Sequence, residues 1–196
     1  TFHDGITDIG VSAFENCTGL KEIDPSNMLI SIGEKAFKNC TSLTFLKIPR
    51  NVANLGDSAF ENCTGLKELN IAISLDAASC AGSGVWKYCE GIEKVTFTPG
   101  DGVGYDYGTG SASGHNVSRT PWKISKDSLT TVIFEEGITH IGNHLLYECD
   151  NVTSITIPET VVSIGDSAFE DCTSLTDITL PDSVKYIGED AFDGCP

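Results

Sequence analysis

The sequence contains no run of about eighteen apolar residues, although 40% of its 196 residues are hydrophobic. No transmembrane helix is therefore expected. Positive charge is scarce too: 12 Lys and Arg stand against 28 Asp and Glu, a formal net charge of −16. That balance argues against nucleic acid and against insertion at an anionic membrane, since both recruit Lys and Arg. No basic-then-apolar leader opens the chain at "TFHDGITDIG", so the protein is either intracellular or has lost a leader ahead of residue 1. Among eight cysteines there is no Cys-x-x-Cys pair, which removes the usual spacing of a zinc site. No Gly-x-Ser-x-Gly elbow follows a strand-like segment, and no Cys has a His placed to activate it. The chain thus lacks the marks of a nucleophilic enzyme.

What the sequence does contain is itself, several times over. "SAFENCTGLKE" at 12–22 recurs letter for letter at 58–68, and "KAFKNCTSLTF" at 35–45 lies midway. The unit is 23 residues. Cys17, Cys40, Cys63, Cys89, Cys149, Cys172 and Cys195 keep the register, with steps of 23, 23, 26, 60, 23 and 23. Three residues before them stand Phe14, Phe37, Phe60, Trp86, Leu146, Phe169 and Phe192. Gly recurs at 10, 33, 56, 142, 165 and 188. A fixed period of this length signals a solenoid, in which one coil cannot bury its own apolar face and stacking does so.

Within a unit, "LTFLKIP" (43–49), "VTSITIP" (152–158) and "LTDITLP" (175–181) end in apolar alternation followed by Pro. This suits a short strand with one buried face, closed by a residue that cannot donate to a ladder. "SIGDSAFEDC" (163–172) gathers Ile164, Ala168, Phe169 and Cys172 on one side of a short helical turn. Asp166, Glu34, Asp57 and Glu189 sit where a first turn favours an acid or a cap. Gly165 supplies a backbone geometry that a side chain would hinder. The fold class expected is α/β: a solenoid of 23-residue coils, with short parallel strands on one face and short helical turns opposite. Seven coils at about 4.8 Å give a rod of roughly 30 Å.

The pattern Leu-x-x-Ile-x-Ile-Pro-x-x-Val-x-x-Ile-Gly-x-x-Ala-Phe-x-x-Cys resembles the BspA-like leucine-rich repeat, of the Treponema pallidum type, found in bacterial and some protist surface proteins. The resemblance covers residues 6–98 and 129–196. It implies a secreted or cell-surface location and a link to adhesion, with no shared catalytic residues and no cofactor. It implies a bacterial source as well, and with it no glycosylation at the Asn-x-Thr/Ser sequons Asn16, Asn39, Asn62, Asn116 and Asn151. Three of those are the "NCT" of the repeat, where Asn ends the turn or caps the bend. One leucine-rich-repeat domain is expected over residues 1–196. Because the chain opens inside a repeat and stops at "GCP", it is expected to be a fragment or a short array with atypical ends.

The register breaks at 71–86, where the Ile-Gly element is lost, and again in an irregular insertion at about 98–127. The second stretch is rich in Gly and Ser and reads as a protruding loop, and long loops in compact arrays often carry function. Tyr105 and Tyr107 are rigid aromatics that either anchor a partner or pack back over the disrupted coils. Trp122 is expected to fill the missing Phe slot. The in-register cysteines form one ladder along the rod and act as buried thiols, although about 4.8 Å between coils also permits disulfides. Cys80 lies outside the register and is either bonded to Cys89, reactive, or neither. His140, His144 and Glu148 have helical metal-site spacing, but the repeat frame puts them on different elements, and no metal role is expected. "GDGVGYD" (100–106) is a single copy of a calcium-like turn with Asp101 and Asp106, and is read as a solvated acidic loop.

What remains is the outer surface of the strands. The residues flanking each central apolar position point away from the core: Glu22 and Asp24, Phe45 and Lys47, Glu68 and Asn70, Lys94 and Thr96, Thr131 and Ile133, Ser154 and Thr156, Asp177 and Thr179. Phe45 and Ile133 are apolar with no folding reason to be there. The binding residues expected are Phe45, Lys47, Tyr105, Tyr107, Thr131 and Ile133. Their partner would be a protein or glycan, host-derived ones included, bound by a monomeric, non-enzymatic module. A rigid spacer presenting other domains is the alternative.

Overall fold

The computed structural model describes residues 5–72, 84–99 and 121–196. Tyr105, Tyr107, Cys80, Asp101, Asp106 and the sequon at Asn116 lie outside these. The chain winds into a parallel solenoid with about 23 residues per coil, as the pairing of Asp8 with Ser31 and Ser31 with Asn54 records.

The main sheet has six strands. They are β2 (Glu22–Ile23), β4 (Phe45–Ile48), β6 (Glu68–Ala72), β7 (Lys94–Thr98), β8 (Thr131–Phe134) and β10 (Ser154–Thr156), stacked in chain order and all parallel. Alternate residues of each strand face inward in register. Leu46, Leu69, Val95 and Val132 form a fully buried row, with Ile48, Ile71, Phe97 and Phe134 in a second row behind it. The pairing of β7 with β8 carries the sheet across the 37-residue interval between Val95 and Val132. Seven coils were expected from the cysteines, but residues 175–181 add no strand, so the sheet stops at six.

A second side of the coil carries two small parallel sheets: β1 (Asp8–Ile9), β3 (Ser31–Ile32) and β5 (Asn54–Leu55), then β9 (His140–Ile141), β11 (Ser163–Ile164) and β12 (Tyr186–Ile187). These are the Ile-Gly positions of the repeat. At Gly33 an added Cβ would lie 2.7 Å from the Gly10 carbonyl carbon and the Val11 nitrogen. The glycine is there because consecutive coils touch at this corner, not for a left-handed backbone.

The third side corrects the expectation of helical turns. Its segments are overlapping turns, and the only helix among the described residues is α1 (Pro121–Ile124). Alternate N–H groups leave the turn and donate to the next coil. Ser12, Phe14 and Asn16 donate to the carbonyls of Glu34, Ala36 and Lys38, and Ser167, Phe169 and Asp171 to those of Glu189, Ala191 and Asp193. The intervening groups close i→i−3 bonds, such as Glu15 N–H to Ser12 O. Two residues per turn adopt positive φ to allow this, Lys35 (55°) and Asn39 (62°) in the second coil. A helix cannot form where half its donors point along the rod.

Side chains on this side repeat the same upward logic. Phe14, Phe37, Phe60 and Trp86 stack with centroids 5.1, 5.3 and 4.9 Å apart, within the range of favourable offset aromatic pairs. Asn39 donates to Asn16 Oδ1 at 2.8 Å and Asn62 donates to Asn39 Oδ1 at 2.9 Å, an amide ladder where the sequence suggested single caps. Asp166 also caps across coils, accepting from the Glu189 N–H at 3.0 Å rather than serving its own turn. Near the irregular interval, α1 replaces a turn. Trp122 is fully buried, edge-on to Phe97 at 5.0 Å, and its Nε1 donates to the Leu145 carbonyl at 2.8 Å. It packs inward, as expected of a residue standing in for the missing aromatic.

Candidate binding face

Two registered rows cross the outer surface of the main sheet. One runs Glu22, Phe45, Glu68, Lys94, Thr131, Ser154; the other runs Lys47, Asn70, Thr96, Ile133, Thr156. Parallel pairing fixes these neighbours rigidly, since a slip of one residue would turn the apolar rows outward. Phe45 therefore sits between Glu22 and Glu68, and Ile133 between Thr96 and Thr156.

The expected binding residues fall into two groups. Phe45 and Lys47 share β4, while Thr131 and Ile133 share β8, three strand spacings or about 14 Å away. Phe45 and Ile133 are half-buried rather than freely exposed, and Thr96, expected to point outward, is only 6% exposed. Tyr105 and Tyr107 lie outside the described residues. Among the described residues the exposed large apolar side chains are elsewhere: Val11, Met28 and Ile30 in the first coils, Tyr88, and Tyr186 with Ile187 on β12. They flank turns or edges, and the repeat pattern gave no signal for their exposure.

Charge on this face is largely spent internally. Lys47 pairs with Asp24 at 3.2 Å, Lys94 with Glu68 at 3.5 Å, and Lys67 with Glu93 at 2.6 Å, each bond joining neighbouring coils. Toward β8 and β10 the surface turns to uncharged hydroxyls. The Thr130 and Thr153 hydroxyls reach the carbonyls of Glu93 and Thr130 at 3.3 and 3.4 Å, so part of the threonine enrichment serves the seams between coils.

The cysteine ladder consists of free thiols among the described residues. Cys40, Cys63, Cys89, Cys172 and Cys195 donate to a backbone carbonyl one coil back, as in Cys40 to Phe14 O at 3.2 Å, Cys63 to Phe37 O at 3.3 Å and Cys172 to Leu146 O at 3.3 Å. Burial pushes the Cys40 thiol up to about 11 and Cys149 up to about 12. Cys63 is raised by the adjoining Cys89 thiol and by burial, and Cys172 by burial. Thiols held protonated in this way are poor nucleophiles. The His140, His144 and Glu148 trio is dispersed. His140 lies in β9 beside the Thr139 hydroxyl, and Glu148 receives the Lys123 ammonium at 2.8 Å. Lys123 holds the Glu148 carboxyl below the ordinary glutamate range. No cluster of three His, Cys, Asp or Glu side chains suited to a metal occurs among the described residues.

A stacked parallel sheet, with an Ile-Gly corner and a Phe-x-x-Cys turn recurring in most coils, is matched by a family model. The model for the BspA-type leucine-rich repeat region matches residues 1–101 and 124–196 in six copies. The chain belongs to this family. Among solved structures, it is similar to a leucine-rich repeat protein of Treponema pallidum, with 22% identity and a TM-score of 0.43 over 98% of this chain and 72% of that one. It is also similar to a leucine-rich cell surface protein of Faecalibacterium prausnitzii, with 24% identity and a TM-score of 0.42 over 100% of this chain and 43% of the other. The pneumococcal vaccine antigen PcpA shares 18% identity at a TM-score of 0.36, over 98% and 58%. This BspA-type array thus spans less than two thirds of the last two chains. No curated protein matches the sequence.

Proposed function

We propose that the chain is a non-enzymatic binding module of a secreted or cell-surface bacterial protein, and that it recognises a protein or glycan through its strand face. One observation carries this reading: two apolar side chains, Phe45 and Ile133, stand half-exposed in otherwise polar rows on a rigid sheet. A rigid platform lowers the entropic cost of presenting such anchors. Tyr105 and Tyr107, outside the described residues, are proposed as further contact residues for the same partner. Family membership supports the surface location, and no helix among the described residues is long and apolar enough to cross a membrane.

The test is binding to an array of matrix proteins and glycans, by the parent chain and by a variant with Phe45, Tyr105, Tyr107 and Ile133 replaced by alanine. A saturable hit lost in the variant, with an unchanged melting temperature, supports the reading. The internal pairing of Lys47, Lys67 and Lys94 favours a second reading, a structural spacer whose surface is satisfied without a partner. A blank array for both proteins selects the spacer.

A further inference from the structure

The coils are closed along the strand side by one recurring hydrogen bond. Thr44 N–H donates to Lys21 O at 2.8 Å, Lys67 to Thr44 O at 3.0 Å, Glu93 to Lys67 O at 2.8 Å, Thr130 to Glu93 O at 3.0 Å, and Thr153 to Thr130 O at 3.0 Å. The next member of the series would be Thr176 N–H to Thr153 O. It is absent: Thr176 N–H turns back to Ser174 O at 3.1 Å instead. The side-chain bond that doubles the contact at Thr44, Thr130 and Thr153 has no counterpart at Thr176.

This last coil is nevertheless docked on its other two sides. Gly188 N–H reaches Ile164 O at 2.9 Å, Lys185 N–H reaches Val162 O at 2.9 Å, and Phe169 N–H reaches Ala191 O at 2.8 Å. Only residues 176–180 bow away. Between them and β10 lies a groove of about 420 Å³, lined by residues that include Ser154, Ile155, Ile157, Glu159, Asp177 and Ile178. The apolar rows are interrupted at the same place. Ile23, Leu46, Leu69, Val95 and Val132 are all buried, while Ile155 and Ile178 are half-exposed.

We propose that this open seam receives an extended peptide strand bearing lysine or arginine, which pairs with the outer edge of β10. The backbone supplies the first argument. Ser154 N–H donates toward β8, and in a parallel strand alternate residues address opposite neighbours. The Ile155 N–H and C=O, with the Thr153 carbonyl, therefore face the groove with no protein partner. Strand addition satisfies such a row, with pockets for alternate side chains giving selectivity. Ile155, Ile157 and Ile178 supply an apolar floor. Charge selects the occupant: Glu159 and Asp177 are exposed at the groove, and neither is in an ion pair. The groove opens on the edge of β10 away from β8, and Phe45 lies four strand spacings from it, so the proposal stands or falls without Phe45.

The experiment uses the full chain and a fluorescent Lys-Val-Lys-Val-Lys-Val peptide, with a second peptide of equal charge in which proline replaces each valine. Anisotropy is read at low and physiological ionic strength, and amide hydrogen exchange is read at Ile155. The alternating peptide is expected to bind saturably, at least about tenfold tighter than the proline peptide, which cannot donate from those positions. It slows exchange at Ile155. E159Q/D177N weakens it about three- to tenfold at low ionic strength, in keeping with exposed ion pairs, while F45A, four strands away, leaves it unchanged. Equal binding of the two peptides would mean charge attraction alone and would overturn the proposal. So would the absence of binding, or protection of Ile155 that grows with protein concentration in the absence of peptide, since a second copy would then be the occupant.

Discussion

The strand side and the turn side of each coil repeat with the same period, yet they tolerate change differently. On the strand side, side chains alternate in and out, and the backbone is satisfied by ordinary parallel pairing. Half of its residues are free to vary. On the turn side the chain advances by left-handed residues, sends alternate N–H groups into the next coil, and stacks identical side chains on one another. There each residue is fixed by its counterpart 23 positions away. The lesson is that the constraint in this repeat lies opposite the candidate binding face, which leaves the face itself free to specialise.

The sharpest way to break the comparison is to make one substitution on each side. Phe60 is fully buried between Phe37 and Trp86, so Phe60→Ala is expected to cost about 3–5 kcal/mol in urea unfolding. Phe45→Ala, on the half-exposed strand face, should cost less than about 1 kcal/mol. Equal losses would erase the distinction between the two sides.

Coil stacking gives the next largest effect. Gly33→Ala places a methyl group against the Gly10 and Val11 backbone, an overpacking expected to cost about 1–3 kcal/mol. Gly10 occupies the same repeat position one coil earlier, and its Cβ would meet nothing within 4 Å. Gly10→Ala should therefore leave the melting temperature unchanged or slightly raised. A matched loss at both sites would show that backbone conformation, not contact between coils, selects the glycine.

These pairs also mark what the sequence made legible. Periodicity of Cys, Phe and Gly named the solenoid, the strands and the inward rows, because each side chain there meets a copy of itself and the copies are visible as letters. The turns were misread as helical. Ala-Phe-x-x-Cys has helical spacing, and nothing in that spacing shows that Ser12 and Asn16 take positive φ. Glycine was read as a backbone position that a side chain would hinder, and the structure shows the hindrance to be close approach of the neighbouring coil. The groove beside β10 left no sequence signal at all, since "LTDITLP" repeats the pattern of "VTSITIP". Whether two such segments pair depends on hydrogen bonds that their letters do not encode.

A smaller test concerns the amide ladder. Asn39 both donates to Asn16 and accepts from Asn62, at φ 62°. Asn39→Ala removes both bonds and puts alanine, which tolerates the left-handed region less well than asparagine, at that position; about 1–2 kcal/mol should be lost. Asn39→Gly keeps the backbone and loses only the bonds, so it should recover part of the deficit. If Gly is no better than Ala, the ladder outweighs the backbone at this position.

Thiols on the turn side give the comparison a pH signature. Burial raises Cys149 to about 12, against an unfolded value near 8.5. The neutral thiol is the folded form, so its contribution is intact below pH of about 8.5 and is lost as pH rises from there toward 12. In that window each such thiol lowers stability by about 1.4 kcal/mol per pH unit. Urea midpoints from about pH 8.5 to 11 should fall steeply, and Cys149→Ala should reduce the slope by about one proton even where it lowers the midpoint at neutral pH. An unchanged slope would mean that Cys149 ionises in the folded chain.

The smallest effect is expected where the strand face carries its ion pairs. Lys47 and Asp24 are 3.2 Å apart, with 38% and 62% of their side chains exposed, and water and salt screen such a pair. A double-mutant cycle on Lys47→Ala and Asp24→Ala should return a coupling of about 0–1 kcal/mol, falling further as salt is added. A coupling well above that range would tie the strand face to the fold as tightly as the turns are tied. The face would then be a structural seam between coils, and its freedom to vary for a partner would be lost with it.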